Sequence, residues 1–456
     1  MSLFVGLNTG LSALRAAQVG LDTASHNIAN SATPGYTRQR VELAAMRPFD
    51  SPDGMIGTGV DVVRIQRLRD QFLDARVRST AADFARTDVT ADLLGRAEAL
   101  TGEPDNGISG PLATLWDRFE DLAMDPDDTA VRRQVLSQLD SLATTVRSTA
   151  TGWSQLEADA TVRRDTTLDE ANGILSRIAD INNALANADP ARVSNDVLDE
   201  RDLLADRIAE LVGGSAVLQP DGTLSVSIGG ATSLVTRNVA ATLTAVGPDV
   251  LADGVPITAT LNGEVAALHT FVTTTMPARR ASLDAFAADL VSALNTQHAL
   301  GFRNDGLPGG PLFTATPGAE ASSLQVAVAA PSDLAVAGAL DLTTGLPAGR
   351  DGTNAQALAD LRSTGVLGGA SLAERLNTLV VDLGTQVQDA QQRAGSTGDL
   401  AVSAQVSRQS QHGVNIDEEM VDVLRYQRQL EAASRVMTAI DEALDVLVNR
   451  TGVVGR

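Results

Sequence analysis

The chain has 456 residues, enough for roughly two to four domains with cores of their own. Its formal charge of −22 comes from 57 acidic and 35 basic residues, and every basic residue is Arg because the sequence contains no Lys. That balance opposes nucleic-acid binding and attachment to anionic membranes, which need a concentrated positive surface. No Cys is present, which excludes disulfide staples and thiolate metal sites, and 3% aromatic content leaves Ala, Leu and Val to pack the helices.

Met1 to Gly10 offers no basic region followed by an unbroken apolar core, since Asn8 and Gly10 interrupt it. No later segment supplies the run of about 18 apolar residues that a membrane-spanning helix needs, so no membrane insertion is expected. Leu7, Leu11, Leu14, Leu21 and Ile28 instead fall at helical spacing, with Ala17 and Ala24 between them, and form an apolar stripe that asks for a companion helix. The helix is expected to end near Asn30, because Pro34-Gly35 is a turn signal. Val60, Val62 and Ile65 then suggest a short strand or extended arm, and Arg67 to Ala99 reads as helix again. Gly57 and Gly59 lack the third glycine and the setting of a dinucleotide loop.

From about Leu112 to Leu211 the period is helical, with breaks near Pro126 and Pro190. Asp125-Pro126-Asp127-Asp128 reads as a turn and helix start, and its register is wrong for a calcium loop. After Ala216 the period changes: Leu224, Val226 and Ile228 alternate behind Pro220-Asp221-Gly222, as in a half-buried hairpin. Leu243 to Val246 and Ile257 to Leu261 continue the strand-like reading, with a turn at Asn262-Gly263. Leu283, Phe286, Leu290 and Leu294 restore a helical face, and the Gly- and Pro-rich stretch 301–349 suits either a second small β unit, with a strand such as Leu324 to Ala329, or a linker.

The last two long helices are expected to begin near Leu372 and Asn415. In the second, Val423, Leu430, Met437 and Leu444 form one series and Tyr426, Ala433, Ile440 and Leu447 another, a heptad pattern of coiled-coil type. The fold expected is therefore multidomain α+β, with long terminal helices forming a coiled-coil-like unit and inserted β-containing regions. The divisions are 1–100 (helix, turn and arm), 101–212 (helical), 213–275 (β-containing), 276–300 (helix), 301–349 (second β region or linker) and 350–456 (C-terminal helices).

Chemistry is sparse. His26, His269, His298 and His412 are far apart in sequence, and the acidic groups Asp117, Glu120 and Asp121 suit a solvated helix face better than a cleft with displaced pKa values. No nucleophile-base pair or ligand cluster can be nominated from spacing, so neither catalysis nor a cofactor is expected. Asp417-Glu418-Glu419 follows Asn415 as a helix cap would be followed, with Glu418 positioned to return a bond to the cap amide. Ser25 to Arg40 concentrates polar groups, and Asn27 and Asn30 are the natural residues to satisfy the backbone of a helix-to-arm turn.

Ser25-His26-Asn27-Ile28-Ala29-Asn30 followed by Thr33-Pro34-Gly35-Tyr36-Thr37-Arg38 resembles the N-terminal signature of the flagellar rod, hook and hook-associated axial family, although that family more often carries Asn or a small polar residue where His26 stands. The stretch Gly57-Thr58-Gly59-Val60, then Asp70-Gln71-Phe72-Leu73, looks like the first hook-associated branch of that family, at the hook-filament junction. Val414-Asn415-Ile416-Asp417-Glu418-Glu419, Leu424-Arg425-Tyr426-Gln427 and Ala432-Ala433-Ser434-Arg435-Val436-Met437 resemble its C-terminus, and Leu294-Asn295 to Phe313 gives a weaker match in the middle.

The resemblance implies a mechanical protein, secreted by the flagellar type III apparatus without signal cleavage and assembled at the hook-filament junction. Its implied partners are other copies of itself in the junction ring, the flagellar hook protein, a second junction protein (hook-associated protein 3) and a flagellar export chaperone. Leu7, Leu11, Leu14, Leu21 and Ile28 would pack on a helix of the same or a neighbouring copy, with Val423, Tyr426, Leu430, Met437, Ile440, Leu444 and Leu447 as the opposing seam. Asn27, Asn30, Pro34, Gly35 and Tyr36 would form the signature turn. A hook or distal-rod protein remains the alternative within the family, and an extracellular adhesin or binding module the alternative outside it.

Overall fold

In the computed structural model, residues 2–51, 54–187, 194–365 and 369–446 are described. The two ends of the chain meet. Helix α1 (Ser2–Ala29) packs along α11 (Ile416–Asp445), and the arm that follows α1 folds back on it. In that arm β1 (Gln39–Ala45) pairs antiparallel with β4 (Val60–Arg67), and the short hairpin of β2 (Phe49–Ser51) and β3 (Gly54–Ile56) forms its tip. The strand reading of 60–65 extends to Arg67, and the next helix, α2 (Gln71–Ala99), starts four residues later than its period suggested. Asp70 explains the late start: its carboxylate accepts the amides of Phe72 and Leu73 and caps the helix there.

The body between the ends is mainly helical. It contains α3 (Ser109–Met124), the 58-residue α4 (Thr129–Ala186), α5 (Asn195–Val212), α6 (Gly263–Thr270) and α7 (Met276–Ala299), then α9 (Thr353–Asp360) and α10 (Leu372–His412). Asp128 starts α4 by accepting the Ala130 amide, as the Asp-Pro-Asp-Asp turn suggested. The break expected at Pro190 lies outside the described residues. One large apolar core joins α2, α3, the first half of α4, α7 and α10, with Trp116, Phe119, Trp153 and Phe286 among its buried side chains. Trp153 also donates its indole N–H to the Ala97 carbonyl at 2.8 Å, tying α4 to the end of α2.

A second core lies between the far half of α4, α5 and two small antiparallel sheets. One sheet has the order β5 (Ser215–Leu218), β6 (Leu224–Ile228), β7 (Thr232–Thr236), β8 (Val239–Ala240); the other has β11 (Val255–Pro256), β10 (Asp249–Ala252), β9 (Leu243–Val246). Leu224, Val226 and Ile228 are the buried alternation anticipated for the hairpin. Ile257 to Leu261 is not a strand: the chain makes a single 3-10 turn over Thr258–Thr260. The Thr258 hydroxyl accepts the Val250 amide at 2.9 Å, so a side chain replaces the ladder bond that a strand would have made.

Residues 301–349 contain only a little β structure, including a two-residue strand within the expected Leu324 to Ala329, and lie packed on the helices. Their regular structure consists of β12 (Phe313–Thr314) paired with β13 (Gln325–Val326), the four-residue α8 (Glu320–Ser323), a 3-10 turn at Pro331–Asp333 and isolated bridges such as Phe302 to Ala337. Leu312, Phe313, Leu324, Leu334 and Val336 nevertheless sit in the large core. Helix side chains satisfy the backbone in place of a sheet. Asn295 accepts the amides of Leu312 and Phe313 and donates to the Phe313 carbonyl, while Arg132 of α4 donates to the carbonyls of Pro126, Pro331 and Leu334. The fully buried His298 accepts the Ala335 amide on Nε2 and donates Nδ1–H to the Gly310 carbonyl. The segment is a coat pinned onto the helices.

Candidate assembly interface

The α1–α11 contact is built from unequal faces. On α11 the heptad series turns inward: Tyr426 and Ala433 are buried and Val423, Leu430, Met437, Ile440 and Leu444 half-buried, while Leu447 lies outside the described residues. On α1 the face that receives them is made of small residues. Gly10, Ala16, Ala17, Gly20 and Ala24 are buried, whereas Leu7, Leu14, Leu21 and Ile28 stay half-buried and Leu11 is exposed. The leucine stripe therefore flanks the contact and is not its centre, which corrects its assignment as the face opposing the α11 seam. The physical reason is the distance between helix axes: bulky knobs on α11 need hollows opposite them, and Gly and Ala supply hollows. A Cβ placed on Gly20 would lie 2.5 Å from Cζ and 2.6 Å from Cδ1 of Tyr426, so only glycine admits that ring.

Where α1 ends, a buried polar knot locks the turn to α11. Asn27 is 1% exposed and uses its whole amide: Nδ2 donates to the Gln39 carbonyl and to Glu419 Oε2, both at 2.9 Å. Its Oδ1 accepts the Tyr36 hydroxyl at 2.7 Å and the Gln39 amide at 3.0 Å. Because the single Tyr36 proton goes to Asn27, the His26 Nδ1 that lies 3.1 Å from the same oxygen is the donor there. Burial, with the charges of Asp199, Asp196 and Glu419, pushes the Tyr36 hydroxyl far above the ordinary phenol range, so it remains a donor. Asn30 donates to the His26 carbonyl and accepts the Thr33 hydroxyl. Gly35 takes a positive φ of 78° against Leu203, and Pro34 precedes it on the exposed turn.

Arg38 completes the knot from β1's leading edge. Its Nε reaches Glu419 Oε1 at 2.6 Å and its Nη1 reaches Glu418 Oε2 at 2.8 Å. Burial alone would lower the Arg38 pKa, but Glu419 and Glu418 outweigh it and hold the guanidinium charged. Asn415 does cap α11, accepting the Asp417 amide at 3.0 Å, but Glu418 is engaged by Arg38, and its expected return bond to the cap amide is replaced by an ion pair. Glu419 is 2% exposed, so it belongs to the seam and not to a solvated acidic end. Sequence reading missed Glu419 and Arg38. The available signal was that Glu419 falls one turn before Val423 on the heptad face, an unusual place for an unpaired charge.

The acids Asp117, Glu120 and Asp121 lie on α3 with Arg118 and Arg362 beside them. His269 meets the Pro248 carbonyl at 3.0 Å, and His412 sits at the end of α10, where its carbonyl accepts the Arg38 amide.

Comparison with known proteins bears on both ends and on the body. The family model of the flagella basal body rod protein matches residues 7–37, that of the flagellar basal body rod FlgEFG protein C-terminal matches 408–450, and that of the flagellar hook-associated protein FlgK helical domain matches 94–313. The chain is 28% identical to flagellar hook-associated protein 1 of Bacillus subtilis, with all of both chains aligned. It is 23% identical to the protein of that name from Salmonella typhimurium, over 97% of this chain and 99% of that one. The solved flagellar hook junction protein FlgK from Burkholderia pseudomallei shares the fold with a TM-score of 0.65 at 16% identity, covering 75% of this chain and 100% of that chain. The small-residue face of α1, most of the helical body and α11 thus lie within segments matched by flagellar family models, and the chain is similar along its whole length to flagellar hook-associated protein 1.

Proposed function

We propose that the chain is a structural subunit of the bacterial flagellum that joins hook to filament, and that it polymerises through its terminal helices. The observation that carries this reading is the division of α1. Its small-residue face is consumed by α11, while Leu7, Leu11, Leu14, Leu21 and Ile28 remain accessible beside that contact, available to neighbouring copies. Export through the flagellar type III apparatus without signal cleavage belongs to the same reading. So do contacts with further copies in a junction ring, with the hook protein, with hook-associated protein 3 and with an export chaperone. The role is mechanical and requires no cofactor.

Immunolocalisation on intact and partly assembled flagella tests the proposal. Full-length chain is expected at the distal end of hooks, and a chain lacking Met1 to Ile28 is expected to keep a folded body, by circular dichroism, yet fail to be retained there. Normal retention of the folded deletion overturns the role given to α1.

A further inference from the structure

The dipeptide Asn-Gly occurs three times in the chain, at 106–107, 172–173 and 262–263, and the fold treats the three differently. It is the least hindered setting for attack of a backbone nitrogen on the preceding side-chain carboxamide, because glycine puts no Cβ beside the nucleophile. The attack needs a carboxamide free to turn, a following amide free of hydrogen bonds, and a backbone not fixed by a helix or by close packing.

Asn172 meets none of these conditions. It lies inside α4, whose helical ladder commits the Gly173 amide, and its side chain is tied to β9, accepting the Leu243 amide at 2.7 Å and donating to the Leu243 carbonyl at 2.9 Å. Asn262 is held as well. Its Nδ2 donates to Asp83 at 2.8 Å, its backbone amide donates to the Val212 carbonyl at 3.2 Å, and Gly263 is pressed so closely on the Glu210 carbonyl that a Cβ there would overlap it. Asn106, in the turn between α2 and α3, is exposed, and among the described residues neither its carboxamide nor the Gly107 amide makes a hydrogen bond. The turn also requires its glycine. A Cβ on Gly107 would fall on the carboxylate of Glu103, which accepts the Ser109 amide at 2.9 Å and the Ser109 hydroxyl and so caps α3 from across the turn.

We propose that Asn106 is a site of spontaneous succinimide formation in the folded protein. The Gly107 nitrogen bonds to Asn106 Cγ, the Cγ–Nδ2 bond breaks, and ammonia leaves with the proton that the Gly107 amide gives up. Water then opens the ring at either carbonyl, yielding isoaspartate or aspartate. Both products add a negative charge close in sequence to Glu103 and Asp105. Isoaspartate also lengthens the main chain by one methylene inside the turn that Glu103 closes, which draws the cap of α3 out of register. Without repair the change accumulates with the age of the chain, at the foot of a helix whose Trp116 and Phe119 lie in the large core.

The test incubates folded full-length chain in mildly alkaline buffer and cleaves it after arginine. Peptide 97–118 then carries Asn106 as its only carboxamide side chain. Mass spectrometry is expected to show amide-to-acid conversion first at Asn106, with isoaspartate identified by a protein isoaspartyl methyltransferase. Conversion at Asn262 should be slower by about tenfold or more, the factor for breaking a hydrogen bond to a charged group before attack, and in guanidinium the three sites should converge. Conversion at Asn106 no faster than at Asn262 in the folded chain overturns the assignment. So does a folded-state rate at Asn106 about tenfold or more below its rate in guanidinium, because the turn would then be holding the pair apart. Hydrogen exchange at the start of α3 separates charge from backbone: aged chain is expected to exchange faster there than Asn106→Asp, and equal exchange removes the effect on the cap.

Discussion

Adding one methyl group to α1 separates two contributions that pull in opposite directions. Gly20→Ala favours helix by about 1 kcal/mol, because Gly is the poorer helix former. The new Cβ would lie 2.5 to 2.6 Å from ring carbons of Tyr426. Carbon pairs rest at about 3.5 Å or more, so the ring must retreat by roughly 1 Å. It has little room to do so: Tyr426 is buried, the Arg425 guanidinium lies 4.9 Å from the ring centroid, and its Nη2 donates to the ring's hydroxyl. Overpacking at the upper end of its usual range costs about 3 kcal/mol, leaving a net loss of about 2 kcal/mol in the α1–α11 contact. Gly10→Ala is the matched control. There the nearest atom is the Met437 sulfur at 2.9 Å, near the end of a flexible, half-buried side chain that can swing aside, so helix propensity wins. Hydrogen exchange of α1 amides in the full chain reads both changes. Gly20→Ala is expected to speed exchange roughly thirtyfold, whereas Gly10→Ala leaves it unchanged or slows it. Equal damage by the two substitutions, or protection by Gly20→Ala, refutes the small-residue face as the packing surface.

Three further expectations rest on other parts of the molecule. Asn27→Ala removes four hydrogen bonds and leaves Glu419 and the Gln39 backbone short of partners in a buried place, a loss of about 1–3 kcal/mol or more by thermal unfolding; Asn30→Ala, half-buried and bonded to exposed groups, is expected to cost less, and the reverse order would mean that the knot is not what holds the turn. Burial pushes the His298 pKa below its ordinary value of 6.5, so the folded state binds fewer protons than the unfolded one just below that pH. Stability is therefore complete above pH 6.5 and falls as the pH drops from there toward the folded-state value, and urea midpoints at neutral and mildly acidic pH should show a decline that His298→Gln reduces; an identical decline in the variant would move the effect to other groups. Leu430→Asp places a charge at a half-buried position of the α11 seam, at a cost of about 1–3 kcal/mol, whereas the exposed Asp441→Ala should change stability by no more than about 0.5 kcal/mol. Thermal unfolding followed by retention on hooks compares them, and a folded, exported Leu430→Asp retained at parental levels removes the seam from assembly.

Much of the architecture was legible because it depends on local periodicity. The heptad series of α11, the cap at Asn415, the turn at Pro34-Gly35 and the hairpin around Asp221-Gly222 each follow from residues within a few positions of one another. Three features depended on chain segments far apart. Which stripe of α1 is buried was decided above all by Tyr426, whose rigid ring demands Gly20 opposite, while a reading by hydrophobicity selects the leucines. Glu419 could be buried only because Arg38, 381 positions earlier, arrives beside it to balance its charge. The stretch 301–349 became a coat because Arg132, Asn295 and His298 on distant helices satisfy its backbone. A segment whose hydrogen bonds are supplied by other elements carries no period of its own, so only the assembled tertiary structure could settle its form.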